Sequence, residues 1–259
     1  MTPDSVLILS DYDGTFTDRD GAPHPANREA VRRLKAAGGR FAFSTGRLPS
    51  VMKRLCPDFL ALANAPLIMG NGAILLDPET EERLSFLPLD GAIGREAVRA
   101  FFSLFPEGKI GVYTSDEAYY TIRPGTPLPP AGPWIKINHF LPSEEEALSC
   151  LAWLKADYGA AFHAFRSGPT LTEAVSSLAS KGAMIGRERK WLAERGVSDV
   201  TVIGIGDFEN DFDLLSHADL AVCPENAVPG IREIAAHVLC RHEDGAVAEL
   251  IKRIETGDL

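Results

Sequence analysis

With 259 residues, 45% hydrophobic and 24% charged, the chain is long enough for one large domain or two modest ones with real cores. Its formal net charge of −10 argues against nucleic acid or an anionic membrane as a partner, since either would need a basic patch. An anionic small molecule would have to be held by local features: a metal ion, a lysine or helix N-termini.

The N-terminus, MTPDSVLILSDYDG, carries one short apolar run, Val6 to Leu9, too short for a signal-peptide core or a membrane span. Cys56, Cys150, Cys223 and Cys240 show no CxxC spacing and read as small buried hydrophobes in a reducing compartment. A cytoplasmic protein is expected.

Short apolar runs alternating with helical patterns predict a parallel α/β sheet. VLIL is the first buried strand. PANREAVRRLKAAGG follows as a helix, with Asn27 as its N-cap, a Val31/Leu34 apolar stripe and Gly38-Gly39 as the stop. RFAFSTGR and APLIMGNG return as the second and third strands. Towards the other end VTVIGIGD, LAVC and HVLC are further strands, interleaved with the helices FDLLSHA and VPGIREIAA and closed by GAVAELIKRIE. The middle, from about Leu87 to Glu173, alternates apolar and polar residues as half-exposed antiparallel strands do. There TSDE marks a hairpin turn after KIGVY, Ser143 and Glu146 form a capping box, and GAAFHAFRSG pairs with TLTEAV. An α+β module thus interrupts an α/β domain, entered through DPETEERLSFLPLDG and left near AVSSLAS.

In a parallel α/β sheet ligands bind beyond the carboxyl ends of the strands. Polar signals stand at three such ends: Asp11, Asp13, Gly14 and Thr15 after the first strand, Ser44, Thr45, Gly46 and Arg47 after the second, and Asp207, Asn210 and Asp211 after the strand VTVIGI. Lys181 stands at the predicted start of a helix. Taken singly each is a common solvated turn or cap; in order, at four such places, they fit one task. Clustered carboxylates suit Mg²⁺, a hard cation taking oxygen ligands, which also relieves their mutual repulsion. With the metal and a lysine alongside, one aspartate can attack phosphorus and form an aspartyl-phosphate, while Thr45 and the Gly14, Thr15 or Gly46 amides hold phosphate oxygens.

On these residues the chain resembles the haloacid dehalogenase superfamily of phosphotransferases. DYDGT, Asp11 to Thr15, is similar to its first motif, STGR to the second through Thr45, SKGA to the third through Lys181, and GDFEND, Gly206 to Asp211, to the fourth. The insertion between Thr45 and Lys181, together with MGNGAILLD (which contains Asn71) and CPENAVPGI, resembles the type-IIB, Cof-like branch with its sucrose-phosphatase-like relatives. The resemblance implies a doubly wound, mostly parallel, Rossmann-like α/β core over residues 1–86 and 177–259, with an inserted α+β cap over 87–176 that sets specificity.

It further implies that Asp11 is the nucleophile and that Asp13 is the acid/base, protonating the leaving alcohol and then deprotonating water. Mg²⁺ is expected on a carboxylate oxygen of Asp11, the backbone carbonyl of Asp13 and the Asp207 carboxylate, with Asp211 supporting a metal-bound water. Thr45, Gly46, Ser44, Asn71 and Lys181 are expected around the phosphate, with Asn210 orienting Lys181 or the phosphate and Arg47 nearby. In the cap, Lys136 and Arg166 are the basic candidates for the substrate, each set against a reading as a solvated strand residue. Tyr113, Tyr119, Tyr120 and Trp134 read as cap packing, with one free to stack on a sugar, and the six histidines receive no role. The expected partner is a small phosphorylated metabolite, above all a sugar phosphate, with no nucleic acid and no membrane, and a monomer or homodimer as the assembly. The rivals are a phosphohexomutase of phosphomannomutase type, a receiver-like signalling module, and an idle binding fold.

Overall fold

The computed structural model describes residues 1–115 and 118–259. In chain order the elements begin β1 (Val6–Ser10), α1 (Pro25–Ala36), β2 (Arg40–Phe43), α2 (Pro49–Leu55), α3 (Phe59–Leu62), β3 (Leu67–Met69), β4 (Ile74–Leu76) and β5 (Arg83–Phe86). Next come β6 (Leu89–Asp90), α4 (Gly91–Leu104), β7 (Lys109–Tyr113), β8 (Tyr119–Ile122), β9 (Pro133–Trp134), β10 (Lys136–Phe140), α5 (Glu144–Tyr158), β11 (Phe162–Gly168) and β12 (Leu171–Ser176). The chain ends with α6 (Ile185–Ala193), β13 (Thr201–Ile205), α7 (Phe212–His217), β14 (Leu220–Pro224), α8 (Pro229–Ile234), β15 (His237–Leu239) and α9 (Ala246–Thr256). The chain divides into two compact units, residues 1–85 with 181–259, and residues 86–180.

The first unit is built on a five-stranded sheet in the order β15-β14-β13-β1-β2, every pair parallel. All five residues of β1 are buried. Successive side chains of a strand point to opposite faces, so both faces of this sheet are covered, as doubly wound sheets require. Ser44 bridges to Ile68 in parallel fashion and brings β3 alongside β2. The chain runs outward from β1 to β2 on one side and through β13 to β15 on the other. This places the reversal of strand order, where such sheets bind ligands, at the carboxyl ends of β1, β2 and β13.

The second unit is a five-stranded antiparallel sheet, β11-β12-β10-β7-β8, with a short β6-β9 pair. Ile110, Val112, Ile137, Ala164 and Ala174 alternate inward and pack with Ala97, Val98 and Phe101 of α4 and with Ala147, Cys150 and Leu154 of α5. Both helices therefore cover one face of the sheet, an α+β layer. The hairpin expected around TSDE has its strands paired, Tyr113 opposite Tyr119; Asp116 and Glu117 of that turn lie outside the described residues. Ser143 caps α5 by accepting from the Glu146 amide at 3.2 Å.

One expectation fails here. The N-cap of α1 is His24, whose Nδ1 accepts from the Ala26 amide, and not Asn27. The first helical position tolerates the missing N–H of Pro25, and the helix starts three residues earlier than an Asn27 cap would allow. Asn27 is instead buried, donating to the Phe16 carbonyl and accepting from the Ala248 amide, so it ties the loop after β1 to α9. Among the described residues no helix is long and apolar enough to cross a membrane, and the four cysteines are free thiols.

Candidate active site

The carboxyl ends of β1 and β13 bring together residues nearly two hundred positions apart. The Asp11 amide continues the sheet pairing by donating to the Ile205 carbonyl at 2.9 Å, and Ser10 Oγ donates to the Asp11 carbonyl at 2.7 Å. The chain then turns at Gly14, which adopts φ +73°. A Cβ there would lie 2.5 Å from Asp207 Oδ2, so both the conformation and the approach of the fourth motif demand glycine. Thr15 Oγ1 donates to Asp207 Oδ1 at 3.0 Å, and Asn226 Nδ2 donates to the Gly14 carbonyl at 2.8 Å.

Asp11, Asp207 and Asp211 each offer a carboxylate oxygen, all within 4.8 Å of one another. Lys181 is fully buried at the head of a single 3₁₀ turn before α6, and its Nζ donates to Asp11 Oδ1 at 2.6 Å and to Asp211 Oδ1 at 2.5 Å. The other Asp211 oxygen accepts from the Asp207 and Phe208 amides at 3.0 and 3.2 Å, which curls the fourth-motif loop around that carboxylate.

The electrostatics follow from three carboxylates sharing one ammonium. Burial raises the Asp11 carboxyl well above its ordinary range, with Asp211 adding to the effect and Lys181 opposing it. Burial and then Asp211 push Asp207 up to about 7. Burial opposes the charge on Lys181, but the Asp11 and Asp211 carboxylates outweigh it and hold the ammonium protonated. A site with this surplus of negative charge, built from oxygen donors alone, fits a hard divalent cation. Among the described residues, Asp11, Asp207 and Asp211 are the side chains grouped so as to hold it.

The remaining predicted residues divide. Thr45 is fully buried, and its Oγ1 accepts from the Arg47 amide at 3.1 Å, which leaves its own proton to donate. Ser44 is fully buried, and its Oγ has no hydrogen-bond partner among the described residues. Asp13 stands apart from the three clustered carboxylates. It is half-exposed and forms a two-pronged ion pair with Arg47, at 2.8 Å from Nε and 2.9 Å from Nη2. Arg47 therefore reaches back to the first motif and does not cap α2, whose N-cap is Leu48. Asn210 Nδ2 donates to Asn71 Oδ1 at 3.3 Å, so its partner is the loop after β3, and not Lys181.

Lys136 and Arg166 are not solvated strand residues: they are 6% and 8% exposed. Lys136 Nζ donates to Glu173 Oε2 at 2.6 Å across the β10–β12 pair, and Ser167 Oγ donates to the other Glu173 oxygen at 2.5 Å. Arg166 pairs with Glu144 at 2.7 Å and sits opposite Thr172, whose hydroxyl donates to the Ala147 carbonyl of α5. It therefore belongs to the helix-covered face of its sheet, whereas Lys136 lies on the other face. Trp134 is fully buried packing, while Tyr119 is exposed with its ring 4.6 Å from that of Tyr113.

The sequence reading passed over Asn226, which clasps the Gly14 carbonyl and accepts from the His242 amide at 3.0 Å. The stretch CPENAVPGI was the signal for it: an asparagine before a proline-started helix, in a turn facing the sheet's carboxyl edge.

The model of haloacid dehalogenase-like hydrolases matches residues 8–124 and 128–251. The chain belongs to that family. The phosphoglycolate phosphatase of Methanopyrus kandleri is 27% identical over 256 residues, 96% of each chain. Among solved structures, the chain is similar to SMU.1108c from Streptococcus mutans UA159, with TM-score 0.82 and 17% identity over 96% of this chain and 98% of that one. It is also similar to the subclass IIB sugar phosphatase BT4131, with TM-score 0.76 and 17% identity over 98% and 100%. These structures share the fold of this hydrolase: a parallel α/β core with a second, mostly antiparallel unit inserted after its first strands.

Proposed function

We propose that this hydrolase is a Mg²⁺-dependent phosphomonoester phosphatase that acts on a small phosphorylated metabolite, a sugar phosphate, through an aspartyl-phosphate on Asp11. The observation that carries the reading is the buried Lys181 ammonium bonded to Asp11 and Asp211, with Asp207 in the same cluster. A nucleophilic carboxylate beside a fixed cation is the arrangement that in-line attack on an anionic phosphoryl group needs.

Asp11 attacks phosphorus, and the bond to the leaving oxygen breaks. Asp13 supplies the proton that the leaving alkoxide takes up, then accepts one from the water that cleaves the aspartyl-phosphate and frees inorganic phosphate. In the resting chain Asp13 is held by Arg47, both half-exposed; such a pair contributes only about 0–1 kcal/mol and opens readily. Thr45 donates to a non-bridging oxygen, and Lys181 neutralises charge on Asp11 and Asp211. Mg²⁺ held by Asp11, Asp207 and Asp211, with the Asp13 carbonyl, would supply Lewis-acid charge neutralisation. Residues 86–180 act as the specificity cap, with Lys136 and Glu173 as its buried polar pair.

The test is phosphate release from a panel of sugar phosphates, phosphoglycolate and other phosphorylated metabolites, with Mg²⁺ and with EDTA, for wild type and Asp11→Asn. Metal-dependent release lost in the variant is the expected result. An isomeric sugar phosphate as product would turn the reading to a mutase, and release that survives in Asp11→Asn would sink the nucleophile.

A further inference from the structure

We infer that Asn71 is a positioning residue that locks the second-motif loop and the fourth-motif loop into one phosphate-binding frame. The inference rests on the phosphatase reading, but its geometry lies wholly within the first unit.

Asn71 is 1% exposed and sits in the left-handed region, φ 56° and ψ 40°, on the turn after β3. A non-glycine residue persists there only when its surroundings over-determine it, and asparagine is among the residues that tolerate the region best. Three sets of contacts fix it. First, its amide donates to the Thr45 carbonyl at 3.0 Å, and the preceding Gly70 amide donates to the Arg47 carbonyl at 3.0 Å. The turn is thereby zipped along the segment that carries the Thr45 hydroxyl.

Second, the Asn71 side chain lies against Gly46: a Cβ at position 46 would come within 2.9 Å of Asn71 Nδ2 and 3.1 Å of Oδ1. The glycine of STGR thus leaves the space that the packed asparagine side chain fills. Third, Asn71 Oδ1 accepts from Asn210 Nδ2 at 3.3 Å, and Asn210 is flanked by the loop that Asp211 holds through the Asp207 and Phe208 amides. One buried amide therefore spans the Thr45–Arg47 loop and the Gly206–Asp211 loop. Phosphoryl transfer needs the hydroxyl, the amides and the carboxylates in fixed relative positions, and a misplacement of about 1 Å costs on the order of 10²-fold in rate.

Asn71→Gly separates the two roles that the residue plays. Glycine keeps the left-handed backbone, so the turn can form, while the side chain that touches Gly46 and Asn210 is gone. With p-nitrophenyl phosphate and Mg²⁺, kcat is expected to fall about 10- to 100-fold, with Tm little changed. Asn210→Ala is expected to fall similarly, and the double variant to be no worse than about twofold below the weaker single, because the Asn71–Asn210 bond is lost in either single variant. Hydrogen exchange is expected to speed up in both peptides, 45–47 and 206–211, in Asn71→Gly. An Asn71→Gly protein with wild-type kcat, additive losses in the double variant, or unchanged exchange in the 206–211 peptide would overturn the inference. If Asn71→Gly does not fold, Asn210→Ala decides alone: wild-type kcat there overturns it. Absence of phosphate release by the wild type would overturn the phosphatase reading instead, and the exchange result would still decide the frame.

Discussion

Replacing Lys181 with methionine keeps the length and apolar stem of the side chain and removes only its ammonium. In the native site that ammonium is fully buried, 2.6 Å from Asp11 and 2.5 Å from Asp211, with Asp207 in the same cluster. Its loss leaves buried carboxylates without their counter-charge, and breaking a buried pair in this way costs about 3–5 kcal/mol. For a unit of this size about 2–4 °C of Tm corresponds to each kcal/mol, so a fall of about 6–20 °C is expected at pH 8 in EDTA. The sign with pH is fixed. Burial already raises Asp11, and holds Asp207 at about 7. A carboxyl whose folded pKa exceeds its unfolded one contributes stability below the unfolded pKa and loses it as pH rises through the folded one. The deficit of Lys181→Met should therefore be largest at pH 8 and shrink towards pH 5, and Mg²⁺ should restore part of it. Thermal melts at pH 5, 6, 7 and 8, with EDTA and with Mg²⁺, measure this directly. A variant melting within about 2 °C of wild type at pH 8 in EDTA would show that Lys181 is not the counter-charge of the cluster.

Three further outcomes follow from the same geometry. Gly14→Ala places a Cβ 2.5 Å from Asp207 Oδ2 at φ +73°, so it should abolish phosphate release and cost about 1–3 kcal/mol, read from urea melts. Glu188 on α6 is fully buried, neither carboxyl oxygen has a partner among the described residues, and burial raises its carboxyl well above the ordinary value of 4.5. That stability is present below pH 4.5 and is lost on the way up by about 1.4 kcal/mol per pH unit until the folded pKa is passed, so Glu188→Leu should gain on wild type from pH 5 to pH 8; a constant gap would refute this. His139 is fully buried against Phe101, and burial lowers its imidazole from 6.5 to about 4. A depressed base contributes above its unfolded pKa, so wild type should lose about 3 kcal/mol between pH 6.5 and 4, and His139→Phe should flatten that acid limb.

What the sequence made legible was the sheet and the ends of its strands. VLIL and TVIGI stand out because a doubly covered parallel strand is apolar at consecutive positions, and carboxylates placed where such runs stop call for a counter-charge. Asp11, Asp207 and Asp211 were singled out by that argument, and Thr45 and Lys181 by occurring with them in order and by the family resemblance. The pairing of side chains was not, because it depends on which loops the topology brings face to face. Arg47 and Asp13 are 34 positions apart, and Thr15 and Asp207 are 192 apart. Nothing local distinguishes such an arginine from a helix cap. The same limit misplaced Asn27, whose amide is claimed by Phe16 and Ala248 from other elements, and it misjudged Lys136, which alternation turns outward until Glu173, 37 residues on, neutralises it. Glu188 shows the opposite case: its helical spacing with Ile185 and Leu192 puts it on the buried stripe of α6 in spite of its charge. Spacing outweighs charge there, because burial of a carboxyl is opposed by a cost that protonation can cap, whereas exposing the apolar face of α6 has no such relief.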